Sequence, residues 1–244
     1  MIRTKTEAIV LRRWPYSESS LALRVLTPES GVVALLAKGT FRPTSTSFAV
    51  LDTWAWIETE YGMPKDASMG NLYKASLLDR FGGLSVSPEQ LAVAGLLGEL
   101  AESAAPEGSP SADVFSWLRQ CLQELALGVD FSTWLPSTLM AALQLLGLTP
   151  RLEPETPSQD SLWFDFSSGG VLEPGAPRPQ GLSRRVSAQL REQLLAAGAQ
   201  RSLPLDGPKE VQETLTILGD FLSFHLERPP RAWETVQRRL IPSA

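Results

Sequence analysis

Histidine and cysteine are nearly missing from this 244-residue chain, which has one of each, His225 and Cys121. A single thiol excludes an intrachain disulfide and any multi-thiolate metal site. A single imidazole excludes two-histidine metal sites, and there is neither a glycine-rich phosphate loop nor paired metal-ligand spacing. No apolar run approaches the roughly eighteen residues of a membrane span. The opening MIRTKTEAIVLRRW meets charge before a signal-peptide core can form. These absences point away from an enzyme, a metal or cofactor carrier and a membrane protein, and towards a soluble, cytoplasmic one. Cys121 lies in the apolar helical stretch FSWLRQCLQELAL and reads as a buried structural thiol. His225, in FLSFHLERPP, reads as a helix-end imidazole.

Net positive charge is also lacking, since the formal charge is -5. Its distribution is uneven. Residues 1–42 carry seven Lys/Arg against three acids, 81–180 carry three against twelve, and 181–244 carry nine against seven. The acidity belongs to the middle, and the basic N-terminal segment suits a polyanionic ligand without resembling a protein that coats nucleic acid indiscriminately. With 43% hydrophobic and 20% charged residues the chain reads as ordinary globular protein, long enough for two domains.

In the first 80 residues, EAIVLRRW, SLALRVLT, GVVALLAKG, DTWAWIETEY and NLYKASLL are short apolar-rich runs separated by PYSES, TPESG, RPTSTS and GMPKDASMG. Five strands at this spacing predict a small closed barrel, of the oligonucleotide-binding kind or SH3-like. YSESS reads as a polar turn, because nothing near its serines could serve as a base.

The period then becomes helical. Ser87, followed by Pro88 and Gln90, forms a capping box ahead of LAVAGLLGELA. APEGSPS at 105–111 breaks the chain before ADVFSWLRQCLQELAL, and STWLPSTLMAALQLLG follows; the three predict a bundle. Residues 148–182 are proline-rich, with a possible hairpin LWFDF–SSGG–VLE. Beyond them Ser183 is expected to cap RRVSAQLREQLLAA, Asp206 and Pro208 to open the next helix, and PPRAWETVQRRL to form the last. The expected class is α+β: a five-stranded barrel over 1–82 and a helical domain over 83–244 with a loop-rich insert at 148–182.

The stretches AIVL, YSESS, LTPESG and LLAKG, and then LLGLTPRLE, FDFSSGGVL, GLS and FLSFHLERPPRAW, fall in one co-linear order, and together they resemble the RecO family of bacterial recombinational repair proteins. The resemblance implies an N-terminal oligonucleotide-binding barrel and a helical C-terminal domain. It also implies a mediator, associated with the nucleoid, that binds single- and double-stranded DNA and anneals complementary strands. Such a mediator acts with RecR, and in some settings RecF, to help RecA displace single-strand-binding protein. The alternative is an interaction scaffold of the same fold that binds RecR but little DNA.

Single-strand binding needs cations along the phosphates and flat side chains under the bases. Arg12, Arg13, Arg24, Lys38 and Arg42 are the candidate cations, with Phe41, Trp14 and Tyr16 as candidate stackers. AKGTFRP at 37–43 is the preferred site, because a glycine turn holds Lys38 and Arg42 in reach of solvent. Arg184, Arg185, Arg191, Arg228 and Arg231, with Arg238 and Arg239, are secondary candidates for DNA or partner contact. Two departures from the family stand out. The turn after AKG is less basic than is usual there. The CxxC-like pairs that bracket the FSSGG position in many members are replaced by LEPETPS and VLEPGAP, so no zinc is expected.

Overall fold

The computed structural model describes residues 3–42, 47–64, 67–85, 87–199 and 208–240. The chain divides into two compact units, Met1–Gly128 and Val129–Ala244.

Five strands build the first unit: β1 (Arg3–Pro15), β2 (Leu21–Thr27), β3 (Gly31–Ala37), β4 (Trp56–Gly62) and β5 (Gly70–Asp79). They close in the order β1-β2-β3-β5-β4, with β3 and β5 parallel and the other pairs antiparallel. Closure leaves no strand edge exposed. Alternation along β2 sends Leu21, Leu23 and Val25 inward with Val10, Val33, Leu35, Ile57 and Tyr61. A four-residue helix α1 (Ser47–Val50), unforeseen in the sequence, leads into Leu51, which is fully buried in that core. The expected strand DTWAWIETEY begins only at Trp56. Before it, Trp54 adopts a left-handed φ of 69° while its N–H bonds the Val10 carbonyl at 2.7 Å. Part of RPTSTS, residues 43–46, lies outside the described residues.

Ile9, Ala22, Leu26 and Val32, on the outer side of the same strands, are also buried. Helices α2 (Pro88–Ala104) and α3 (Ala112–Leu127) follow and pack on each other, and α3 packs on β2. The Ser87 hydroxyl accepts from Gln90 N–H and the Gln90 side chain accepts from Ser87 N–H, both at 3.1 Å, completing the expected capping box. Gly98 lets α2 approach closely, since a Cβ there would fall 2.5 Å from Trp54 Cη2. The APEGSPS break is stitched to the β2–β3 turn: Val32 N–H bonds Ala105 O at 3.2 Å, Gly108 N–H bonds Ser30 O at 2.9 Å and Ser111 N–H bonds Pro28 O at 2.8 Å. Cys121 is buried, and burial, with Glu124 nearby, pushes its thiol far up, which leaves it unreactive.

The second unit holds α4 (Phe131–Leu145), β6 (Leu162–Asp165), β7 (Gly170–Val171), β8 (Ser183–Val186), α5 (Ala188–Gly198), α6 (Pro208–His225) and α7 (Arg231–Leu240). Here α4 packs with α5 and α6. Of the three helices expected to bundle, α2 and α3 belong to the first unit and α4 to the second, with Gly128 (φ 86°) and the Asp130 cap at the boundary. The hairpin β6–β7 matches expectation, but β8 joins it as a third strand in the order β7-β6-β8. Ser183 is consequently a strand residue and Ser187 caps α5, its hydroxyl accepting from Leu190 N–H at 3.1 Å. Asp206 lies outside the described residues.

Candidate nucleic-acid interface

The turn after β3 is held from beneath. The Thr40 hydroxyl, 2% exposed, donates to Ala37 O at 2.9 Å, and Arg42 N–H closes onto Gly39 O at 3.2 Å with Gly39 at φ 73°. Phe41 N–H reaches Ser19 O at 3.4 Å, joining this turn to YSESS, which is a polar turn closed through its own backbone by Tyr16 N–H on Ser20 O at 2.9 Å. Lys38, Phe41 and Arg42 are exposed, as are Trp14 and Tyr16 on the neighbouring segment. Among the described residues neither Lys38 nor Arg42 has an acidic partner. A rigid turn that displays two uncompensated cations and an aromatic ring suits a phosphate backbone and its bases.

The other three N-terminal arginines are differently placed. Arg12 and Arg24 are cross-strand partners, and Glu102 of α2 reaches both, with Arg12 Nε at 3.2 Å and Arg24 Nε at 3.6 Å; Glu99 lies 3.9 Å from Arg12 Nη2. Two of the five candidate cations are thus compensated by the helix that covers their strands. Arg13 pairs with Asp52 at 2.8 Å and lies 5.0 Å over the Phe48 ring, and Phe48 stands 5.6 Å from Phe41. Phe48 went unnoticed in the sequence. It sits in a four-residue helix without periodicity, and only the fold brings it to Phe41.

The secondary candidates scatter over the second unit. Arg184 pairs with Asp220, its Nε–H donating at 2.8 Å. Arg185 lies over Trp163 at 5.1 Å, and so does Arg178 at 5.5 Å. Arg228, Arg231, Arg238 and Arg239 are exposed, with Arg238 3.9 Å from Glu234. Arg191 is not on the surface: only 5% exposed, it donates through Nη2 to the carbonyls of Ser158, at 2.6 Å, and Asp160, at 3.2 Å, and so fastens the insert to α5. His225 ends α6 against Phe221, 4.3 Å between ring centroids.

Sequence and fold together now decide the family, since residues 1–81 match the family described as Recombination protein O N terminal and 86–234 match Recombination protein O C terminal. The chain belongs to the RecO family. It is 29% identical to the DNA repair protein RecO of Anaeromyxobacter sp. strain K, over 93% of each chain, and 29% identical to that of Desulforudis audaxviator, over 100% of each. The DNA repair protein RecO of Bacillus subtilis is 28% identical over 61% of this chain and 58% of its own. RecO family membership makes the barrel an OB-fold domain and gives the chain a role in DNA repair and recombination. No helix among the described residues is long and apolar enough to cross a membrane.

A structural zinc does not fit the residues at the insert. Glu173, just after the hairpin, spends its carboxylate on the N–H groups of Glu155 (2.8 Å) and Thr156 (3.1 Å), and the described residues contain no cluster of three or more His, Cys, Asp or Glu side chains. One carboxylate thereby ties together the two stretches that flank the hairpin. Those two backbone hydrogen bonds, Glu155 first, hold the Glu173 carboxyl below its ordinary range. Burial pushes Asp165 up, but hydrogen bonds from Ser167 and Ser168 outweigh it and hold it low as well. A carboxylate with a depressed folded pKa stabilises the fold above its unfolded value, near 4, and loses that contribution as pH falls through the folded one. The second unit should therefore weaken between about pH 5 and pH 2. Urea unfolding across that range should show a shallower acid limb for Asp165→Asn/Glu173→Gln than for the native chain.

Proposed function

We propose that the chain is a DNA-binding recombination mediator, with residues 1–82 as its DNA-binding domain. It binds single- and double-stranded DNA, anneals complementary strands, and works with RecR, and RecF in some settings, to help RecA load onto DNA covered by single-strand-binding protein. The observation that carries this reading is the rigid turn with exposed Lys38, Phe41 and Arg42 on a barrel of the RecO family. The mediator acts by holding strands, so no catalytic residue is assigned.

A second reading, a scaffold that binds RecR with little affinity for DNA, draws support from Glu102, which compensates two arginines of the barrel. The two readings part in a fluorescence titration of labelled single-stranded DNA at several salt concentrations. Each phosphate contact on a single strand contributes about 0.7 to the slope of log affinity against log salt. Lys38→Ala/Arg42→Ala should thus lower the slope by about 1.4 and the affinity at 0.1 M salt by about 25-fold. Glu102→Gln, which frees Arg24 and leaves Arg12 with its longer contact to Glu99, adds about one phosphate contact and should tighten binding by about fivefold. Unchanged affinity and slope in the double variant would remove the turn from the site, and no binding by the native chain at low salt would establish the scaffold. Annealing of complementary oligonucleotides without ATP checks the second half of the reading.

A further inference from the structure

We propose that Phe41 and Phe48 form one base-stacking platform, backed by Arg13, that makes the barrel prefer single strands to duplex. This rests on the reading of the turn as a DNA contact and adds to it the part of the site that sees the bases.

Two adjacent phenylalanines are left uncovered, Phe48 at 46% and Phe41 at 37% exposure, while the apolar side chains around them, Leu51 and Val50, turn into the barrel core. Their rings are 5.6 Å apart and tilted by 48°. Both backbones are anchored: Phe41 follows the Thr40 hydroxyl that bonds Ala37 O, and α1 is held through Leu51. Arg13 lies 5.0 Å over Phe48 and is fixed by Asp52 at 2.8 Å and by Leu51 O, to which it donates at 3.4 Å. With its charge answered by Asp52, Arg13 acts as a support for the ring; the phosphate charge falls to Lys38 and Arg42, on either side of Phe41 in sequence. Flat rings on fixed backbone beside free cations suit a base and its phosphates better than an apolar peptide, which has no use for the cations.

The consequence is selectivity for strandedness. Phosphates are available in duplex and single strand alike, so Lys38 and Arg42 act on both. Base faces are hidden in a duplex, and only an unpaired base can lie on Phe41 or Phe48. Phenylalanine offers no hydrogen bond, so the platform does not distinguish base identity.

The test uses the full chain with a labelled single strand and a duplex of matched length, at several salt concentrations. Phe41→Leu/Phe48→Leu keeps apolar bulk and removes both π faces; Phe41→Tyr/Phe48→Tyr keeps the faces. The leucine variant should lose about tenfold in single-strand affinity, with duplex affinity within about twofold and the salt slope unchanged. The tyrosine variant should retain the native preference, and the melting temperatures of all forms should agree. Equal loss on both ligands, no loss on the single strand, or loss of preference in the tyrosine variant overturns the platform. Single-strand binding that responds to Lys38→Ala/Arg42→Ala but not to the leucine pair leaves the functional reading intact and removes only this inference. A native chain that binds neither ligand removes both.

Discussion

Gly31→Ala is expected to destabilise the first unit by about 3 to 5 kcal/mol, adding left-handed strain to overpacking. Gly31 opens β3 at φ 61°, where a Cβ is disfavoured whatever surrounds it, and here that Cβ would fall 2.3 Å from Pro106 O, 3.0 Å from Ala105 O and 3.1 Å from Ser109 O. All three obstacles are backbone atoms of the α2–α3 connection, so no rotamer change relieves them. Moving that connection would break the hydrogen bonds from Val32, Gly108 and Ser111 that stitch it to the β2–β3 turn. Thermal unfolding followed by far-UV circular dichroism should show a midpoint lower by on the order of 10 °C. Gly108→Ala provides the control: Gly108 has φ 78° but open space around its Cβ position, so strain alone acts and the loss should be about 1 to 2 kcal/mol. Equal effects at the two glycines would mean that the close approach at Gly31 contributes nothing.

The second unit should keep its melting temperature when a chelator is added, and purified chain should contain no stoichiometric zinc, while Phe164→Ala costs about 3 to 5 kcal/mol. The reason is what holds the small sheet in place. Phe164 and Phe166 are fully buried and meet edge-on at 5.2 Å; Phe221 lies 5.7 Å from Phe164 and 6.3 Å from Phe166, and Phe224 lies 6.2 Å from Phe166. This aromatic cluster fixes the small sheet to α6, Glu173 ties the stretches beside the hairpin, and Arg191 ties the loop to α5. Removing Phe164 opens a cavity between the small sheet and α6. One tightly held zinc per chain, or a midpoint that falls with chelation, would overturn the metal-free account.

Where local signals act alone, the sequence was readable. The five strands followed from apolar runs and turn residues, and the starts of α2 and α4 from the capping box at Ser87 and the helical spacing after Asp130. Where a decision is taken by partners far away in sequence, it was not. SRRV resembles the start of a helix, and becomes a strand only because Leu162–Asp165 pairs with it. Arg12 and Arg24 look free until Glu102, at least 78 positions away, is brought to them. Arg191 looks like one more surface cation until the insert folds over it. The Lys38–Arg42 turn was legible because it is local, and its aromatic partner Phe48 was not because an intervening segment separates them.

The Trp54–Gly98 contact reaches further than packing. Residues one helical turn apart share a face, so the face of α2 that meets the indole at Gly98 carries Glu102 one turn onward and Ala94 one turn back. Gly98 admits the ring and so sets the seating of α2 against the barrel: slippage by four residues in either direction would drive a methyl group or a carboxylate into Trp54. The same indole that indexes the helix therefore decides which carboxylate arrives between Arg12 and Arg24. A substitution at Gly98, far from any candidate DNA contact, would then change the electrical potential of the barrel surface as well as its stability.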